Sequence, residues 1–180
     1  PAAIHDFDGD AQAEYALSSL NRFAVYESGG TIVWSATVSD SGIASATGFD
    51  FFGDGSANAV YADEHQVFVF DEVGRAPVEM PRSSFTLSEY PVVADVDNDG
   101  SAEIIVVSSL ASASPAVQVI RSTGDRWVQA RRIWNQHTYH VTNVREDGTI
   151  PRMEAPSHLG LNTFRANAQI EGGAVCDPNL

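Results

Sequence analysis

Two stretches of this chain hold four carboxylates within nine residues: Asp6, Asp8, Asp10 and Glu14, and Asp95, Asp97, Asp99 and Glu103. Acids at relative positions 1, 3, 5 and 9 repel one another unless a cation lies among them. Hard divalent cations such as Ca2+ take six to eight oxygens at about 2.3–2.6 Å, and a short loop with this spacing can supply them. Position 7 would add a backbone carbonyl, from Gln12 in the first stretch and Ser101 in the other. The expected metal ligands are therefore Asp6, Asp8, Asp10, Gln12 and Glu14 in one loop, and Asp95, Asp97, Asp99, Ser101 and Glu103 in the other. Both resemble the first half of an EF-hand, which lies between helices and closes with a bidentate Glu at position 12. Here position 12 after Asp95 is Val106, and the flanks, such as Ile104 to Val107, are short β-branched runs that read as strands. A calcium loop between two strands follows.

The elements around the loops repeat with them. A third copy starts at Asp50 and keeps Asp54, but has Phe52 at position 3 and Asn58 at position 9, so it is expected to hold metal weakly or not at all. The starts, Asp6, Asp50 and Asp95, lie 44 and 45 residues apart. Each copy continues with a strand ending at Tyr26, Phe70 or Ile120, a glycine turn at Gly30, Gly74 or Gly124, and a further strand through Trp34, Val78 or Val128. A period in the forties with several strands per unit is the signature of propeller blades. Prolines at Pro77 and Pro81 mark the last strand of the second unit as an outer one.

Asp-x-Asp-x-Asp-x-x-x-Glu between hydrophobic strands, repeated at this period, resembles the FG-GAP/VCBS repeats of integrin-α-like β-propellers. The resemblance covers roughly residues 1–130. It implies an all-β fold of four-stranded antiparallel blades, Ca2+ in the loop after each innermost strand, and an extracellular or cell-surface setting. One departure is Ala11 at position 6 of the first loop, where the family usually has Gly. A non-glycine residue held there at positive φ costs about 1 kcal/mol.

Composition narrows the function. Net charge is −14, and ten of the 24 acids lie in the three loops. Residues 1–120 hold 18 acids and 3 arginines, so the phosphate backbone of a nucleic acid finds no basic surface there. No apolar run approaches the ~20 residues a membrane span needs. A single cysteine, Cys176, rules out an intrachain disulfide, so packing and metal must hold the fold; a free thiol or the start of a further domain is the plainer reading of it. Pro1 falls just before a blade strand, as in a piece of a longer protein. No Gly-x-Ser-x-Gly elbow, phosphate loop or paired-cysteine motif occurs.

The tail, 131–180, is expected to form a worn fourth blade, aligning Asn143 to Gly148 with Asp95 to Gly100 and placing Arg145 where a ligand would be. His137 and His140 could be a metal pair, but an aromatic cluster with Trp134 and Tyr139 accounts for them more simply. The six-residue stretch 110–115 of the third unit reads as a longer surface loop.

The domain plan is blades at 1–47, 48–90 and 91–130, then the tail. The favoured function is a non-catalytic, calcium-binding extracellular propeller module for adhesion, surface assembly or ligand binding, with structural metal. The alternative is a lectin or polysaccharide lyase on a calcium-loop propeller, with Trp34, Trp127 or Trp134 stacking on sugar. Three clear blades fall short of the four to eight with which propellers close, and a four-bladed monomer would need the worn fourth repeat to be a full blade, so the expected partners are other copies or further blades, along with a glycan or protein ligand.

Overall fold

The structure, a computed structural model, describes residues 2–40, 44–110, 115–124 and 126–170; Cys176 and most of the expected insertion at 110–115 lie outside the described residues. Among the described residues, eleven strands form three antiparallel sheets. The first holds β1 (Ala3–His5), β2 (Glu14–Ser19), β3 (Arg22–Tyr26) and β4 (Ile32–Thr37) in sequential order. The second repeats this with β5 (Ala46–Phe49), β6 (Asn58–Ala62), β7 (Gln66–Phe70) and β8 (Val78–Pro81). The third has β9 (Val92–Ala94), β10 (Glu103–Val107) and β11 (Val117–Arg121). Pro81 ends the outer strand β8, where a missing N–H is tolerated.

Packing follows from alternation. In each strand one set of side chains faces one neighbouring sheet and the other set faces away. Ala16, Phe23, Val25 and Trp34 of the first sheet pack on Ala59, Tyr61, Phe68 and Phe70 of the second. The second sheet's other face, with Val60, Ala62, Val67 and Val69, packs on Val93, Ile104, Val106 and Ile120 of the third. Gly74 serves this packing twice: its φ of 76° makes the β7–β8 turn, and a side chain there would meet the Trp34 ring at 2.7 Å. The short first strands lie side by side, with β5 against both β1 and β9.

Two expectations differ from the structure. The strand expected through Val128 does not join the third sheet. Trp127 is instead buried on Phe51 with ring centroids 4.5 Å apart, and Val128 is interposed between two loops, donating to the Phe51 carbonyl and accepting from Ala102 N–H. Burying the indole outweighs one more ladder. The tail carries no sheet among the described residues, only 3-10 turns at Val141–Asn143 and Ser157–Leu159. Asn143 to Gly148 is not built like the acidic loops: Arg145 N–H bonds the Thr149 carbonyl and Gly148 N–H bonds the Arg145 carbonyl, as Asp71, Arg75 and Gly74 do in the β7–β8 hairpin. The glycine matched by alignment is a hairpin-type turn glycine.

The tail binds the sheets together. Phe164 exchanges backbone bonds with Ile4 of β1, Thr47 of β5 donates its hydroxyl to the Arg165 carbonyl at 2.9 Å, and the Asn167 amide donates to Val93 of β9 at 2.7 Å. Three residues of one short segment thus touch the first strand of every sheet. Behind it, fully buried Arg131 donates to the Val141 and Val144 carbonyls, to the Tyr139 hydroxyl and to Glu146. Trp134 stacks on Tyr139 at 4.6 Å as expected, but the histidines find other rings: exposed His137 meets Tyr90 edge-on at 5.3 Å, and His140 lies against Phe164. His140 bonds Glu154 rather than His137.

Candidate metal centre

Each acidic loop begins where a first strand ends and finishes where the second begins. Position 1 organises the turn: Asp6 accepts N–H bonds from Gly9 and Ala11 at 2.7 and 2.8 Å, and Asp95 accepts from Gly100 at 3.2 Å. Two residues per loop take left-handed conformations. Position 4 is Gly9, Gly53 or Asn98, and position 6 is Ala11, Gly55 or Gly100, with Ala11 at φ 67°. The strain anticipated at Ala11 is therefore present. Ala11→Gly is expected to stabilise the protein by up to about 1 kcal/mol, read as a higher urea midpoint; a lower midpoint would show that the loop relaxes around alanine.

The turns bring carboxylates together. In the first loop, ligand atoms of Asp6, Asp8 and Asp10 all lie within 4.8 Å of one another, and in the third those of Asp95, Asp97 and Asp99 do the same. Each pair at that separation repels by roughly 0.9 kcal/mol in water and about 3.5 kcal/mol at the effective dielectric of a protein surface. Gln12 and Ser101 follow at position 7, each giving its N–H to the aspartate at position 5, and the Gln12 amide adds a bond to Asp10.

Glu14 and Glu103 lie outside these aspartate trios. Each is buried, and one carboxylate oxygen accepts the N–H of position 2, from Phe7 at 2.7 Å or Val96 at 2.9 Å. The other oxygen, Oε1 in both, is buried with no partner, as are Asp95 Oδ1 and Ser101 Oγ. An unpaired buried carboxylate oxygen is costly. Asn58, in the same place in the second copy, also accepts from position 2 through Oδ1, yet its amide nitrogen donates to the Phe70 carbonyl at 3.3 Å. Asp50 is likewise served by the N–H groups of Phe52, Gly53, Asp54 and Gly55. The loops rich in acid hold orphaned oxygens, whereas the poor one is satisfied by the chain itself. Phe52 projects outward, 61 % exposed.

Burial, opposed by the Phe7 N–H and aided by Asp8, Asp6 and Asp10, pushes Glu14 from 4.5 up to about 7; Glu103 is raised for the same reasons. An acid whose pKa rises on folding favours the folded state below its unfolded pKa. The stability that Glu14 contributes to the metal-free chain, present in full below pH 4.5, should thus be lost as pH climbs through about 7. Melting in chelator across this range checks the sign, and Glu14→Gln should flatten the slope.

Sequence reasoning missed Gln129. Its amide donates to Asp95 Oδ2 at 2.9 Å from 34 residues away, a distance no local spacing signals. With Asn98, Arg132 and Glu146 it lines a cavity of about 210 Å³ beside the third loop. Trp34 and Trp127 are 7 % and 8 % exposed, so neither offers a face to a sugar.

No family model and no curated protein matches the chain. Among solved structures, the V. cholerae biofilm matrix protein Bap1 is similar, at 30 % identity and a TM-score of 0.78. The likeness covers 86 % of this chain and 27 % of that one, so this chain spans about a quarter of the Bap1 chain's length. The chain is an all-β array similar in sequence and structure to part of a biofilm matrix protein.

Proposed function

We propose that this chain is a calcium-binding, non-catalytic module of an extracellular matrix or cell-surface protein, built as part of a β-propeller of the FG-GAP/VCBS kind. The observation that carries the metal reading is the contrast at position 9: the orphaned oxygens of Glu14 and Glu103 occur in the copies with convergent aspartates, and the second copy lacks both features, with Phe52 at position 3 and a hydrogen-bonded Asn58 at position 9. Ca2+ would be held by Asp6, Asp8 and Asp10 and by Asp95, Asp97 and Asp99, with the buried glutamates at the inner side. It would supply charge neutralisation to loops that otherwise repel.

The propeller reading is supported by sequentially ordered sheets packed face to face with their first strands adjacent. The extracellular reading is supported by the likeness to a matrix protein, and no helix among the described residues is long and apolar enough to cross a membrane. Structural metal and the lack of a nucleophile–base pair in the sequence favour binding over turnover.

A glycan-binding reading is favoured by one feature, the polar cavity of Asn98, Gln129, Arg132 and Glu146 beside the third loop. Glycan arrays combined with a polysaccharide-cleavage assay separate the alternatives. Retention of a glycan without cleavage is expected if this cavity is the ligand site; calcium-dependent cleavage would overturn the non-catalytic reading.

A further inference from the structure

The three sheets use one interface twice and leave half of it free at each end. Two faces alternate along every sheet. The face turned toward the following sheet is formed by Ala16 paired with Val25 in the first sheet, and by Val60 paired with Val69 and Ala62 paired with Val67 in the second. By the repeat spacing and the strand register, its equivalents in the third sheet are Ile105 paired with Val119 and Val107 paired with Val117. In the second sheet these four residues are at most 3 % exposed; in the third, Val107, Val117 and Val119 are 44 %, 57 % and 56 % exposed. The face turned toward the preceding sheet is formed by Ala59 with Phe70 and Tyr61 with Phe68, and its equivalents in the first sheet are Tyr15 with Tyr26 and Leu17 with Ala24. There Tyr15 and Tyr26 stack at 5.3 Å and stand half-buried, as does Leu17, while the small Ala24 is buried; no other sheet of the described residues packs on them.

Contiguous exposed apolar side chains at a position where the fold elsewhere buries them mark a contact surface. The free face of the third sheet and the free face of the first correspond in position to the two halves of the junction already made twice in this molecule, once largely between aromatic and once largely between aliphatic side chains. We propose that a second copy of this chain docks its first sheet, through Tyr15, Leu17 and Tyr26, onto Ile105, Val107, Val117 and Val119 of the third sheet. The contact joins two different faces and is therefore heterologous, closing into a ring only if the rotation allows. Two copies give six sheets, within the range in which propellers close. This rests on the repeated-sheet reading, not on bound calcium.

Sedimentation of the chain at physiological salt, with Ca2+ and with chelator, tests it. The wild type is expected at twice the chain mass or as a longer series, and Val119→Arg and Leu17→Arg are each expected at the chain mass. Mixing the two variants restores one intact junction, since each keeps the face the other has lost, so a dimer is expected again. A monomeric wild type overturns the proposal, and so does a Leu17→Arg variant that still dimerises alone, because the third sheets would then be meeting each other. Circular dichroism shows whether the variants fold; where Val119→Arg does not, Val117→Ser takes its place. Association that survives chelation supports the interface even where the calcium reading fails.

Discussion

Chelation is expected to lower the melting temperature by roughly 10–20 °C at millimolar calcium, provided the metal exceeds its Kd a hundredfold. A ligand bound only by the folded state then adds about 2.7 kcal/mol per site, and two sites add about 5 kcal/mol, each kcal/mol being worth some 2–4 °C in a chain of this size. The effect has a structural source. Without a cation, the trios Asp6, Asp8, Asp10 and Asp95, Asp97, Asp99 hold like charges within 4.8 Å, and Glu14 and Glu103 keep a buried oxygen without a partner. Differential scanning calorimetry with and without chelator measures it. Equal melting in both conditions would mean that hydrogen bonds within the loops suffice.

The second large effect is expected at Arg131, whose hydrogen bonds go to the tail and not to a carboxylate trio. Its guanidinium, in a side chain 1 % exposed, holds the carbonyls of buried Val141 and Val144, the Tyr139 hydroxyl and the half-buried Glu146, and so fixes the part of the tail that packs behind residues 164–167. Arg131→Met removes the donors and leaves the Val141 and Val144 carbonyls buried without them, at an expected loss of about 2–5 kcal/mol from roughly 1–3 kcal/mol per orphaned group. Arg132→Met alters an exposed neighbour and is expected to change stability by no more than about 0.5 kcal/mol. Urea denaturation of the pair checks this. A loss below about 1 kcal/mol at Arg131 would show that the tail contributes little to holding β1, β5 and β9 together.

What was legible in the sequence was what local spacing determines. The acids at positions 1, 3, 5 and 9, the 44- and 45-residue period and the glycine turns placed most of the strands in the order seen, because hairpins and loops are written in adjacent residues. The outer placement of β8 followed from proline chemistry. The contribution of position 9 was only half legible. Glutamate there reads as one more ligand, while its bond to the N–H of position 2 depends on how the loop folds back.

The rest was carried by contacts between distant residues. Trp127 resembles the start of a fourth strand by alignment, and nothing in its neighbourhood tells that it will bury itself on Phe51. Asn143 to Gly148 shares a glycine and an acid with the metal loops, yet those residues suit a hairpin turn equally well. Segment 164–167 has no periodicity because it pairs with single residues on three different sheets.

Calcium stoichiometry, measured by equilibrium dialysis on the wild type, on Asp97→Ala and on Asp54→Ala, tests the central claim most directly. Two ions per chain are expected for the wild type, one for Asp97→Ala and still two for Asp54→Ala, since the second loop satisfies its own polar groups. No bound calcium in the wild type, or an ion lost with Asp54, would contradict it.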